Sequence, residues 1–120
     1  METKQKVIIA GNTPRWIEKA KVALPPTCEP IVCHDSIDII TTLEEHPDVA
    51  LCVIANRMEE ANEGLRVARE LSEPGDPPII LFTREISDTG RQEAGVLGAV
   101  VIDMDDDTGL AHAVKTLLKV

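Results

Sequence analysis

The sequence predicts an α/β fold: one doubly wound, five-stranded parallel sheet with five helices, occupying residues 1–120 as a single domain. Three observations predict it. Five short apolar runs recur along the chain, and they are continuous rather than alternating, the pattern of strands buried on both faces. Each run is followed by a stretch with apolar residues at helical spacing, and an unbroken strand–helix alternation gives a parallel sheet covered by helices on both sides. The joints are short turn signals, with no linker, internal repeat or low-complexity tract, and 120 residues leave no room for a second core of useful size.

The first strand is Val7-Ile8-Ile9-Ala10-Gly11, ending at the turn Gly11-Asn12-Thr13-Pro14. Thr13 can cap a helix that has Pro14 at its first position, where a missing N–H is harmless. That helix carries Trp16, Ile17, Ala20, Val22, Ala23 and Leu24 and stops at Pro25-Pro26. The second strand is Pro30 to Cys33. The helix after it, capped by Asp35 or Ser36, presents Ile37, Ile40 and Leu43, with Thr41 beside them, and ends at His46-Pro47. The third strand, Val49 to Ala55, is the most hydrophobic stretch and is expected at the centre of the sheet. A polar loop, Asn56 to Asn62, leads to a helix from Glu63 to Ser72 with Leu65, Val67, Ala68 and Leu71 on its apolar side. After the Pro- and Gly-rich turn at 73–78 comes a fourth buried strand, Ile79 to Thr83. Ser87 or Asp88 starts a weaker helix, whose Gly90, Gly95 and Gly98 make it the least regular element. Ala99 to Ile102 is the fifth strand. Asp107 or Thr108 caps the last helix, with Leu110, Ala113, Val114, Leu117 and Leu118 at core spacing.

Composition narrows the function. Trp16 and Phe82 are the two aromatics in the chain, so the core is built from Val, Ile, Leu and Ala. Twenty-one acidic residues against 12 basic ones give a net charge of −9, which opposes binding to a phosphate backbone; no nucleic-acid partner is expected. Cys28, Cys33 and Cys52 form neither an even set nor a CxxC pair, and suit small apolar roles in a reducing compartment. Met1 to Lys6 is polar, unlike a signal peptide, and no apolar run approaches the ~18 residues needed to cross a bilayer. A soluble, cytoplasmic protein without a membrane partner is the expectation.

Sheets of this kind hold their sites in the loops at the carboxyl ends of the strands. Here those loops contain Gly11-Asn12, His34-Asp35, Asn56-Arg57, Thr83-Arg84 and Asp103 to Asp107. Five strand–helix units in 120 residues, ending on a helix, resemble the CheY-like receiver domain of bacterial response regulators, a flavodoxin-like three-layer sandwich, and the resemblance extends over the whole chain. In that family the first strand ends in an acidic pair followed shortly by Pro; Gly11 and Asn12 stand there, before Pro14. The family's phosphoacceptor Asp ends the third strand with a Gly eight positions on; Asn56 and Gly64 hold those positions. Thr83 matches the family's Thr or Ser at the end of strand four. The family's Lys comes some seven residues after a Gly-Ala pair, and the seventh position after Gly98 is Asp105. The aromatic switch position falls at Ile102.

The resemblance therefore implies an intact frame around a degenerate phosphorylation pocket: Gly11, Asn12, Asn56, Thr83 and Asp105. An acyl phosphate needs a carboxylate nucleophile, which the Asn56 amide is not. Mg²⁺ prefers carboxylate oxygens; Gly11 offers no ligand, while Asn12 and Asn56 offer neutral amides. No Asp or Glu occurs from Val49 through Met58, so rephasing the third strand does not restore an acid. The acidic run Asp103, Asp105, Asp106, Asp107 lacks the Gly and distal Glu of a calcium loop and is expected to be a solvated loop and helix cap. His34, His46 and His112 are scattered, with no catalytic set around them. Thr at a strand end is also common for β-propensity alone.

The expected function is that of a pseudo-receiver in two-component signalling: not an enzyme, needing no cofactor or metal, and working through protein contacts. By resemblance, the partner (a signalling or histidine-kinase-related protein, or a second copy of the chain) would use the region from Ile86 through Val120. Two alternatives stand beside it. One is a small-molecule-binding or enzymatic flavodoxin-like domain, although the sequence supplies neither aromatic stacking nor a phosphate loop well. The other is a receiver phosphorylated at a displaced acid such as Asp35 or Asp103.

Overall fold

The computed structural model describes residues 4–118 apart from Glu59, Ala61, Ser72, Pro74 and Glu85. The expected end of the third helix at Ser72 and the end of the partner face at Val120 lie outside the described residues. Elements alternate as expected: β1 (Gln5–Ala10), α1 (Pro14–Ala23), β2 (Cys28–Cys33), α2 (Ser36–Glu45), β3 (Leu51–Ala55), then α3 (Glu63–Glu70), β4 (Ile79–Thr83), α4 (Asp88–Val96), β5 (Val100–Asp103) and α5 (Asp107–Leu118). The five strands form one parallel sheet in the order β2-β1-β3-β4-β5. The chain steps from β1 outward to β2 and then back to β3 on the other side, so the winding reverses beside β1.

Burial explains this order. Every residue of β3 and of β4 is buried, which fits strands with neighbours on both edges and helices on both faces. The outer strands are less covered: β2 exposes Glu29 and Pro30, and β5 is partly buried until it ends on exposed Asp103. The largest fully buried side chains are Ile and Leu, from Ile8, Ile39 and Leu51 to Ile54, Ile80, Leu81 and Leu110.

Three details of the helices differ from the sequence expectation. On α2 the buried residue is Ile39, while Ile37 is 76% exposed. The Asp35 carboxylate accepts the Asp38 N–H at 2.7 Å, and the cap fixes the helix so that Ile39 and Leu43, four apart, face the core. On α1, Val22 is 82% exposed because it lies two residues, roughly 200°, from the buried Ala20. The α5 cap falls one residue early: Asp106 Oδ1 accepts the Gly109 N–H at 2.9 Å, and the Asp106 carbonyl accepts the Leu110 N–H at 3.0 Å. The cause is the turn before it, where Asp106 N–H donates to the Asp103 carbonyl at 3.0 Å and brings the helix start forward.

Candidate functional site

The ends of β3, β4 and β5 open into a cleft of about 730 Å³. Two of its polar walls come from strand ends, Asn56 after β3 and Thr83 closing β4. Because β3 and β4 are neighbours, with Ala55 opposite Phe82, these two residues are brought side by side. The Asn56 N–H donates to the Phe82 carbonyl at 3.1 Å, and the Met104 N–H donates to the Thr83 carbonyl at 3.1 Å.

Asn56 is 3% exposed and its amide is committed on both sides. Its Oδ1 accepts the Leu65 N–H at 3.0 Å, supplying a partner to one of the otherwise unpaired donors in the first turn of α3. Its Nδ2 donates to Asn62 Oδ1 at 3.1 Å. Asn62 sits before α3 in the left-handed region, φ 61°, which Asn tolerates better than most residues. Gly64 makes the close approach possible, since a Cβ there would lie 2.8 Å from Asn56 Cα and 2.9 Å from the Ala55 carbonyl oxygen. The Gly64 N–H closes this contact on the Asn56 carbonyl at 3.0 Å.

Gly11, Asn12 and Asp105 are not among the described residues lining the cleft. Gly11 is buried at the end of β1, and its carbonyl accepts a hydrogen bond from His34 Nδ1 at 3.1 Å, which places His34 on the far side of the site. Asn12 is exposed. Asp105 is exposed too; its N–H donates to Asp103 Oδ1 at 2.8 Å, and the buried side chain reaching the cleft from this loop is Met104. In this run the Asp103 and Asp106 carboxylates accept turn and cap bonds, and Asp107 pairs with Lys19 at 3.4 Å. Lys19 also donates to the Met104 carbonyl at 3.1 Å, tying α1 to the loop behind the cleft. Ile102, partly buried, stands opposite Phe82 in the β4–β5 pair.

Several residues at or near the site carried no sequence signal that singled them out. Arg57, Arg84 and Arg91 line the cleft, with Trp16 on another wall. The first two lie in strand-end loops where the sequence already placed the site, though with no role given them, and Arg91 on α4 was not among those loops. Glu63 is a buried acid, 4% exposed. Its carboxylate accepts the Ser36 N–H at 2.8 Å and the Glu60 N–H at 3.1 Å, linking α3 to the start of α2. From sequence it reads as an ordinary acid in a first helical turn.

The three thiols are buried. Burial pushes the Cys52 thiol up to about 12, and raises Cys33 and Cys28 as well, so none is poised as a nucleophile near neutral pH. No helix among the described residues is long and apolar enough to cross a membrane.

No protein-family model matches the chain, and no curated protein matches it in sequence. Solved structures do match. The signal receiver domain of the response regulator NarL from Mycobacterium tuberculosis superposes with a TM-score of 0.77 at 19% identity, covering 98% of each chain. The signal receiver domain of an HD domain-containing protein from Pseudomonas fluorescens Pf-5 gives 0.82 at 16% identity, over 99% of this chain and 90% of that one. The response regulator domain of Thermotoga maritima CheB gives 0.78 at 13% identity, over 98% of each. The chain therefore has the receiver fold, a flavodoxin-like five-stranded parallel sheet with five helices. Its structural neighbours are receiver domains of response regulators.

Proposed function

We propose that this chain is an atypical receiver domain that takes no phosphoryl group on the usual strand-three acceptor and acts as a protein-interaction module. The observation that carries this reading is the state of Asn56. It holds the position at the end of β3, it is an amide rather than a carboxylate, and both its side-chain atoms are spent on Leu65 and Asn62. The described lining of the cleft contains no Asp or Glu, so a Mg²⁺ ion would find neutral oxygens and guanidinium groups there. The remaining polar strand-end residue, Thr83, has no acyl phosphate to follow.

The partner surface proposed for such a module is the α4–β5–α5 face, from Ile86 to the end of the chain. Val96, 88% exposed near the end of α4, supports it as an apolar contact point. Self-association through this face is part of the same proposal. The receiver fold carries the signalling role by analogy, since one fold hosts many functions.

The test is a backbone amide NMR titration with Mg²⁺, followed by beryllofluoride, which mimics a phosphoryl group on a carboxylate. Unchanged resonances for Gly11, Asn12, Asn56 and Thr83 are expected. Saturable shifts clustered at these four residues would show a working acceptor pocket and sink the reading.

A further inference from the structure

We infer that the cleft at the ends of β3, β4 and β5 binds a phosphorylated small molecule carrying a flat ring, of the nucleoside diphosphate type. The carrying observation is charge placement. The chain has a net charge of −9, yet three of its six arginines, Arg57, Arg84 and Arg91, converge on one cleft whose described lining has no acid. They arrive from three different segments: the loop after β3, the loop after β4, and α4.

Of the other described basic residues, Lys4, Arg15 and Lys115 form no ion pair with a described residue but stand apart from the cleft, and the rest are paired. Arg66 and Arg69 pair with Glu60 and Glu93, while Lys6, Lys19 and Lys21 pair with Asp48, Asp107 and Glu18. Among the described residues Arg57, Arg84 and Arg91 form no ion pair. Three like charges around one concavity repel one another, and a multivalent anion relieves that repulsion. Guanidinium groups match phosphate oxygens in bidentate geometry, which makes arginine the residue suited to this task.

The rest of the wall selects the organic part. Trp16, the sole tryptophan, supplies an aromatic surface; Met104 and Ile86 supply apolar contact, and Asn56, Thr83 and Ser87 bring polar atoms. Aromatic side chains stack on nucleobase-like rings in single-strand binding proteins, and Trp16 is the aromatic lining residue that could do so here. A cleft of about 730 Å³ lies within the ordinary range for small-molecule sites. The sequence alone suggested neither stacking nor a phosphate loop; the fold assembles both functions from side chains far apart in the chain. The Ser87 hydroxyl is already bonded to Gly90 N–H at 3.0 Å, so phosphate recognition rests on the arginines rather than on the α4 terminus.

The inference rests on the absence of a carboxylate from the described lining of the cleft and needs no particular protein partner. It is tested on the full chain, without Mg²⁺, by NMR titration with ADP, adenosine and inorganic phosphate, following the Trp16 indole N–H and the amides of Arg84, Ser87 and Arg91. ADP is expected to shift these signals saturably with a Kd below about 1 mM. Adenosine and inorganic phosphate are expected to bind roughly tenfold more weakly or worse. Arg84→Gln and Arg91→Gln, both at exposed side chains, should weaken ADP roughly tenfold each. Arg15→Gln, outside the cleft, should leave the Kd unchanged. Absence of saturable ADP shifts, equal affinity for ADP and inorganic phosphate, or equal weakening by Arg15→Gln would each overturn the inference. A beryllofluoride response with Mg²⁺ reports on the acceptor position alone, so the two readings fail separately.

Discussion

The Asn56 side-chain oxygen accepts the Leu65 backbone N–H at 3.0 Å, so the residue that follows β3 is bonded into the first turn of the next helix. This gives Asn56 a structural role that does not depend on phosphate. Asn56→Ala leaves the buried Leu65 donor without its partner and is expected to cost about 1–3 kcal/mol in urea unfolding. Asn56→Asp keeps an acceptor there and puts a negative charge near the start of α3, where the helix dipole favours it, so its cost should be smaller. Equal losses for the two variants would show that the Asn62 contact, not the Leu65 bond, dominates.

Gly64 and Gly95 are both helical glycines with opposite expected responses. A Cβ at Gly64 would press on backbone atoms of Ala55 and Asn56 that cannot move independently, so Gly64→Ala should destabilise by about 1–3 kcal/mol despite alanine's better helix propensity. At Gly95 nothing lies within 4 Å of the added carbon, and Gly95→Ala should stabilise by about 0.5–1 kcal/mol. Thermal melts of the two variants check the pair, and a shift of the same sign in both would contradict the packing at Gly64.

Cys52 gives the molecule an alkaline weakness. In the unfolded chain its thiol ionises near 9, whereas burial holds the folded thiol neutral until about 12. Across that window the unfolded state binds fewer protons, so stability falls as pH rises and the folded state is not penalised below pH 9. Cys52→Ala should flatten the stability profile between pH 9 and 12 relative to the parent, whatever it costs at neutral pH through the cavity. Unfolding midpoints measured along that pH series decide it; parallel profiles would argue against a deeply buried neutral thiol.

Within the acidic loop, neighbouring carboxylates are expected to differ. Asp106→Ala removes the cap on Gly109 N–H and should cost about 1 kcal/mol. Asp105→Ala removes an exposed side chain and should stay within about 0.5 kcal/mol of the parent. Circular dichroism melts resolve the two, and equal losses would show that the cap is not where the bond lies.

Much of the fold was legible because local signals agreed. β4 begins and ends where expected, since Pro77-Pro78 precede its apolar run and Thr83-Arg84 closes it. The α2 stripe was harder. Ile37, Ile39 and Ile40 fit two helical phases within ten residues, and only the Asp35 cap and the packing against the sheet choose the one that buries Ile39. At the site, Asn56 and Thr83 were visible because strand ends announce themselves. Arg57 and Arg84 were in view only as members of the strand-end loops, with no role, and Arg91 on α4 was not, because an exposed arginine reads as solvated until the strand order brings these segments together.

The outer strand β2 has a further consequence. Gln5 N–H donates to the Thr27 carbonyl and Gly11 N–H to the Cys33 carbonyl, and since backbone groups alternate in direction along a strand, 27, 29, 31 and 33 turn toward β1. Pro30 therefore turns its nitrogen outward, where it has no hydrogen to offer. An incoming strand would meet a missing donor at mid-edge, with the charged Glu29 beside it. The opposite margin, β5, is four residues long and finishes on exposed Asp103. With both borders blunted, edge-to-edge strand pairing between crowded copies of this chain is disfavoured.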